Sequence, residues 1–166
     1  MYEGCTGVKT GYTKRSGRCL VSSAERDGIE LIAVTLNAPS DWSDHEQMLD
    51  LGFQSYERLR LFSAGEICET VYLSGGIENY ITVTNPEDVF ATVPKNRGTV
   101  THVIELPTIA FAPIEKGERL GRIIFYLDGI EIARADLCAR YDVPATKQKN
   151  TLERLLDFIG LSDLFK

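Results

Sequence analysis

Two Asp-Gly pairs, Asp27-Gly28 and Asp128-Gly129, constrain this chain more than any other feature, because each stands between two strand-like runs. A two-residue hairpin loop needs left-handed backbone at its centre, and Asp-Gly accepts that conformation readily. Upstream of the first pair, Val8–Thr13 alternates in type, Lys14-Arg15-Ser16-Gly17 supplies a turn, and Cys19–Ala24 returns. Downstream, Glu30–Leu36 is a mostly apolar run, as expected of a strand covered on both faces. Residues 7–36 therefore read as a three-stranded antiparallel meander. The second pair lies between Phe125-Tyr126-Leu127 and Ile130-Glu131-Ile132, a second strong hairpin signal.

A helix is expected after the meander. Ser43-Asp44-His45-Glu46 fits a capping box, and Asp41 and Asp44 suit the positive end of a helix dipole. Leu49, Phe53, Tyr56 and Leu59 recur at helical spacing and read as a core-packing face, with Gly52 permitting close approach to a strand. From about Gly65 to Val143 the pattern changes to short strands and turns. Candidates are 67–73, 80–84, 88–93, 100–106, 119–127 and 130–137, a spacing that suggests a small β-sandwich. After Pro144, residues 151–159 have helical periodicity with Gly160 as a stop. The fold class is thus α+β, with three parts. Residues 1–62 carry the meander and helix, 63–145 a small all-β sandwich, and 146–166 a tail helix. The stretch 61–66 is the expected junction.

Composition narrows the function classes. The 166 residues are 43% hydrophobic and carry a net charge of −6. Nucleic-acid binding normally leaves a basic footprint, and the balance here runs the other way. No run reaches the ~18 apolar residues of a membrane-spanning helix, and Met1-Tyr2-Glu3-Gly4 does not open an export signal. Cys5, Cys19, Cys68 and Cys138 form no C-x-x-C pair, and His45 and His102 sit in no metal-ligand spacing, so neither metal nor cofactor is expected. The cysteines read as small apolar residues, with disulfide pairing left open.

The segment with chemical content is Gly7-Val8-Lys9-Thr10-Gly11-Tyr12-Thr13. Gly4, Gly7, Lys9 and Thr10 faintly suggest a phosphate-binding loop, but that loop needs Gly directly before Lys, and Val8 stands there on a strand. An isolated Lys-Thr-Gly would read as an exposed strand with a solvated lysine. Here the triplet is followed by a hairpin, an apolar strand and a helix. Lys9-Thr10-Gly11 matches the third signature element of penicillin-binding enzymes and class A β-lactamases. The run from Gly4 to Thr13, Ser16–Ala24, Arg26-Asp27-Gly28 and Leu51-Gly52-Phe53 resembles the end of the transpeptidase-type, β-lactamase-like domain of low-molecular-mass D-alanyl-D-alanine carboxypeptidases. The resemblance continues into the all-β part and is weakest over the last ~20 residues.

That resemblance implies a serine peptidase that removes the terminal D-Ala from peptidoglycan stem peptides and is acylated by β-lactams. Lys9 would supply positive charge to the substrate carboxylate, Thr10 a hydroxyl, and Gly11 an unobstructed backbone. Tyr12 would give a backbone N–H to the oxyanion hole, a contribution of ~3 kcal/mol in such sites. Lys14, Arg15 and Arg18 read equally well as a solvated turn and as substrate steering. The family also uses Ser-x-x-Lys for attack and activation, and a Ser-x-Asn element. No serine here has Lys three residues on or Asn two residues on. Both elements precede the Lys-Thr-Gly strand in the family, and eight residues precede Lys9. The chain is therefore expected to be truncated at its N-terminus and inactive alone, with no catalytic residue of its own. The parent is expected to be extracytoplasmic, at the membrane or cell wall. The tail is a candidate for membrane-surface contact, although Glu153, Asp157 and Asp163 offset its basic residues and favour packing on the β part. The appended β part argues against a single-domain β-lactamase. A non-catalytic binding or scaffolding module is the alternative of another class. Residues 1–62 are expected to expose apolar surface.

Overall fold

A computed structural model describes residues 2–146. The expected tail helix lies outside the described residues. Both Asp-Gly pairs form the expected turns: Asp27 and Gly28 have φ of 51° and 72°, and Asp128 and Gly129 have 51° and 82°. These left-handed pairs match the right-handed twist of the strands they join. The first turn completes a three-stranded antiparallel sheet in the order β1 (Cys5–Thr13), β2 (Gly17–Arg26), β3 (Ile29–Leu36).

Helix α1 (Asp41–Ser55) lies on one face of this sheet. Leu49 packs there against Ala24 and Ala33, with Tyr2, Leu31 and Phe53 at the margin. Gly52 is where helix and sheet come closest, since a Cβ on it would stand 2.5 Å from the Leu31 Cδ1. Two details differ from the sequence reading. The helix starts at Asp41, not after Ser43, and its N-cap Ser40 makes no side-chain cap bond. The Asp41 carboxylate is held by Arg18 and also accepts the Trp42 N–H at 3.0 Å, which draws the first turn back. Ser43 instead accepts a bond from the Gln47 amide at 3.3 Å. The helix also ends at Ser55, before Tyr56 and Leu59. Arg58-Leu59-Arg60-Leu61 alternates polar and apolar with a period of two, while Tyr56 and Leu59 also suit the helical spacing, and a partner strand decides it. Residues Tyr56–Phe62 form β4, paired antiparallel with β7 (Val89–Pro94).

Strand β3 was expected to be covered on both faces. Its odd residues face α1, but Ile32, Val34 and Leu36 are 68%, 54% and 76% exposed. Among the described residues nothing lies over that second face, which Val21 shares.

The remaining described strands form a six-stranded sheet in the order β8 (Val100–Glu105), β10 (Arg119–Leu127), β11 (Ile130–Ala139), β6 (Tyr80–Thr84), β5 (Cys68–Ser74), β9 (Ile109–Phe111). Six strands were expected here and seven are found, counting β7. The addition is β9, a three-residue strand parallel to β5 and too short for a periodicity signal. The β4–β7 ribbon packs on this sheet through β11, and Val89, Leu61 and Phe62 join its core. That core holds Ile67, Val71, Ile81, Val83, Ile123, Phe125, Leu137 and Val143, all nearly inaccessible. Asn85, fully buried, ties loop to strand. Its Oδ1 accepts from the Ile67 N–H at 3.0 Å, and its Nδ2 donates to the Ser63 and Glu87 carbonyls at 2.7 and 2.9 Å. The described fold is thus mostly β-sheet with one helix, which meets the α+β expectation in outline. All four cysteines are free.

Candidate functional site

Strand β1 is an edge strand. It pairs with β2 on one side, and no described strand adds to the other. Its unpaired N–H and C=O groups are therefore a template for another extended chain. Every residue from Val8 to Thr13 is exposed, and Tyr12 is 71% exposed.

The pleat decides which side each candidate residue takes. Lys9 stands opposite Val21, which pairs onward with Val34, so Lys9 is on the bare face of the sheet. Thr10 stands opposite the buried Leu20, and Tyr12 opposite Arg18, so both are on the helix side. A ligand running along the edge would meet both sets. The Lys9 Nζ donates to the Thr10 carbonyl at 2.6 Å and makes no ion pair among the described residues. At Gly11 a Cβ would meet only Cys19 at 3.8 Å, an ordinary contact. Internal packing does not demand glycine there.

Arg18 adds a second cation beside this edge. Its Nε and Nη2 donate to the two Asp41 carboxylate oxygens at 3.1 and 2.9 Å, a bidentate pair. The Asp41 side chain is 4% exposed and that of Arg18 is 52% exposed. The carboxylate also lies in the first turn of α1, where the helix dipole favours negative charge. A shallow recess of about 380 Å³ is lined by Thr10, Gly11, Tyr12, Arg18, Cys19 and Asp41. Lys14 and Arg15 lie in the exposed turn beyond it.

A larger recess, about 650 Å³, opens between β1 and α1 and includes Val8, Ser22, Trp42 and His45. Its polar wall is a closed network. His45 is 3% exposed and bridges Ser22 at 2.6 Å through Nδ1 and Thr35 at 3.0 Å through Nε2. This network fastens α1 to β2 and β3. Sequence reasoning missed both it and the Arg18–Asp41 pair. A signal existed: Arg18 and Ser22 share one face of β2, and Asp41 and His45 stand one helical turn apart. Among the described residues no group of three or more His, Cys, Asp or Glu side chains could hold a metal. None of the described helices is long and apolar enough to cross a membrane.

Comparison with known proteins agrees with this layout. Residues 56–145, more than half of the chain and beginning at the first residue of β4, match the family described as penicillin-binding protein 5, C-terminal domain. Residues 1–40 match the D-alanyl-D-alanine carboxypeptidase family. The chain is 31% identical over 147 residues to D-alanyl-D-alanine carboxypeptidase DacF of Bacillus subtilis, covering 86% of this chain and 38% of that protein. It superposes on penicillin-binding protein 5 of Haemophilus influenzae with a TM-score of 0.63 and 30% identity, covering 82% of this chain and 42% of that one. A peptidoglycan synthesis regulatory factor (PBP3) of Streptococcus pneumoniae shares the fold, with a TM-score of 0.70 at 19% identity over 84% of this chain and 43% of that one. The chain spans under two-fifths of the length of the curated relatives it matches. It belongs to the low-molecular-mass penicillin-binding proteins, and its residues 56–145 are their C-terminal domain.

Proposed function

We propose that β1 is one wall of the substrate cleft of a serine-type D-alanyl-D-alanine carboxypeptidase that trims peptidoglycan stem peptides outside the cytoplasmic membrane. The observation that carries this reading is the geometry of the edge among the described residues: a strand unpaired on one side, exposed from Val8 to Thr13, with a lysine that makes no ion pair there. A stem peptide adds to this edge through main-chain hydrogen bonds. Its terminal carboxylate meets the Lys9 ammonium and the Thr10 hydroxyl. Gly11 lets its backbone approach, and the Tyr12 N–H is the donor toward developing negative charge on the scissile carbonyl oxygen. These residues bind and orient. The attacking serine and its lysine base, as Ser-x-x-Lys, and the Ser-x-Asn element belong to the parent protein and occur nowhere in residues 1–166. The segment alone is therefore inactive toward D-Ala-D-Ala and penicillin.

The test uses the full-length parent. Lys9→Ala should lower the rate of acylation by a fluorescent penicillin by about a hundredfold, the loss of one charged contact in the transition state at ~3 kcal/mol. Thermal stability should be nearly unchanged, because Lys9 is exposed and makes no ion pair among the described residues. Acylation at the wild-type rate would remove the substrate-binding role from this strand.

A further inference from the structure

The outer face of β6, β5 and β9 carries an uncharged aromatic strip that no described residue covers. Val71, Leu73, Ile81, Val83 and Ala110 point into the core. Strand alternation then sends their neighbours outward. Tyr80 stands opposite Tyr72, and Tyr72 opposite Ile109, so the three form one row across three strands. Phe111 follows on the next row, opposite Ser74. Tyr80, Tyr72, Ile109 and Phe111 are 56%, 70%, 51% and 73% exposed. With strands ~4.8 Å apart, the row is roughly 10 Å long. Thr70, opposite Thr82, borders it with hydroxyls. Exposed apolar groups gathered in this way mark a contact surface, whereas single ones do not.

We propose that this strip is a binding platform for a neutral β-linked N-acetylated glycan. The choice of glycan rests on the cell-wall reading given above; the choice of a sugar rests on the strip itself. Tyrosine offers a flat, rigid ring with a hydroxyl at its rim. A pyranose offers the converse, an apolar C–H face edged by hydroxyls. Rings stack on the face, while the Tyr hydroxyls and the Thr70 and Thr82 side chains take the edge. Charge selects against other occupants. No Lys or Arg projects from the outward positions of these three strands, and at the border a single arginine, Arg140, reaches the Cys68 Sγ at 3.9 Å, whereas anionic membrane surfaces are held by clusters of basic residues. Glu78, in the β5–β6 connection, adds negative charge at one end. The edge strand β9 has only three residues, too few to template another strand, so the usable surface is the side-chain face.

The experiment is an NMR titration of the full chain with chitotetraose, the β-1,4 N-acetylglucosamine tetramer. Saturable shifts are expected in β5, β6 and β9 with Kd on the order of 1 mM. Tyr72→Ala should weaken binding at least about tenfold, and Tyr72→Phe should keep most of it, because the ring face carries the contact. Tyr72 is mostly exposed, so both variants should keep the circular dichroism of the parent chain. The proposal falls if about 10 mM tetramer moves no resonance, or if Tyr72→Ala and Tyr80→Ala bind as the wild type does. It also falls if phosphatidylcholine–phosphatidylglycerol vesicles bind through these tyrosines and the sugar does not. Lys9→Ala should leave saccharide binding unchanged, and Tyr72→Ala should leave acylation unchanged in the parent. Failure here is therefore distinguishable from failure of the carboxypeptidase reading.

Discussion

The two halves of this molecule are made of the same strand-and-turn chemistry and end in different states of closure. Strands β1–β3 with α1 enclose a small cluster in which Ala24 and Ala33 face Leu49, while Val21, Ile32, Val34 and Leu36 stay open on the other face. Strands β4–β11 enclose a continuous core of branched aliphatic side chains around Phe125, with both the six-stranded sheet and the β4–β7 ribbon contributing. Hairpin turns set the registers equally well in both halves. Turn chemistry is a local matter, but a core needs two layers. The first half has one and a half. Among the described residues its open face and its open edge are on the same sheet, so the strand that carries Lys9 is also part of the less enclosed half.

The largest test of that contrast is truncation in the closed core. Phe125 is 1% exposed and packs its ring against Phe62 and His102, with centroids 5.7 and 6.0 Å away. Phe125→Ala should cost about 3–5 kcal/mol in urea unfolding of the chain. Val34→Ala, on the bare face, should change stability by less than about 0.5 kcal/mol. Equal effects at the two positions would mean that the bare face is covered in solution.

A smaller and directional effect is expected at the Arg18–Asp41 pair that joins β2 to α1. Removing Asp41 leaves a half-exposed arginine that water can take over. Removing Arg18 leaves a carboxylate that is 4% exposed in the folded chain and keeps, among the described residues, the Trp42 N–H and the helix dipole. Arg18→Ala should therefore cost more than Asp41→Ala, about 2 against about 1 kcal/mol, because an orphaned buried charge is worse than an orphaned exposed one. A double-mutant cycle by chemical denaturation reads this asymmetry. The reverse order would show that the ion pair is not what fixes the start of α1.

Much of this architecture is legible in the sequence, and what is not has physical reasons. The meander, both Asp-Gly hairpins and most strands of the β half follow from turn dipeptides and period-two runs, which are local. The boundary at Ser55 is not local. Phe53, Tyr56 and Leu59 fit a helix, and only pairing of β4 with β7, more than thirty residues on, decides for a strand. Strand β9 has three residues and no period to read. The bare second face of β3 is invisible because Ile32, Val34 and Leu36 look the same whether or not something covers them. At the candidate site, Lys9 to Tyr12 are readable because they are consecutive. Arg18–Asp41 and Ser22–His45–Thr35 depend on how far along the sheet α1 settles, which no short window contains.

The smallest effect probes the first half alone, through Tyr2. Its hydroxyl donates to the Asp50 carboxylate at 2.6 Å, bridging the N-terminal segment to α1. Burial pushes the Tyr2 phenol up to about 12, the Asp50 bond and charge add to this, and Arg26 opposes it. A raised value means the folded state holds the phenol proton more tightly than the unfolded chain does. The contribution to stability is thus complete below pH ~10, the ordinary phenol value, and is lost as pH rises through about 12. Tyr2→Phe removes both the hydrogen bond and this titration. Near neutral pH it should cost only about 1 kcal/mol. Between pH ~10 and ~12 the wild type should lose stability relative to the variant, so the gap narrows with rising pH. Denaturation curves of both proteins across that window measure the gap. A constant difference would mean that Tyr2 is solvated in the folded protein and that the edge of the small cluster around Leu49 is looser than its packing implies.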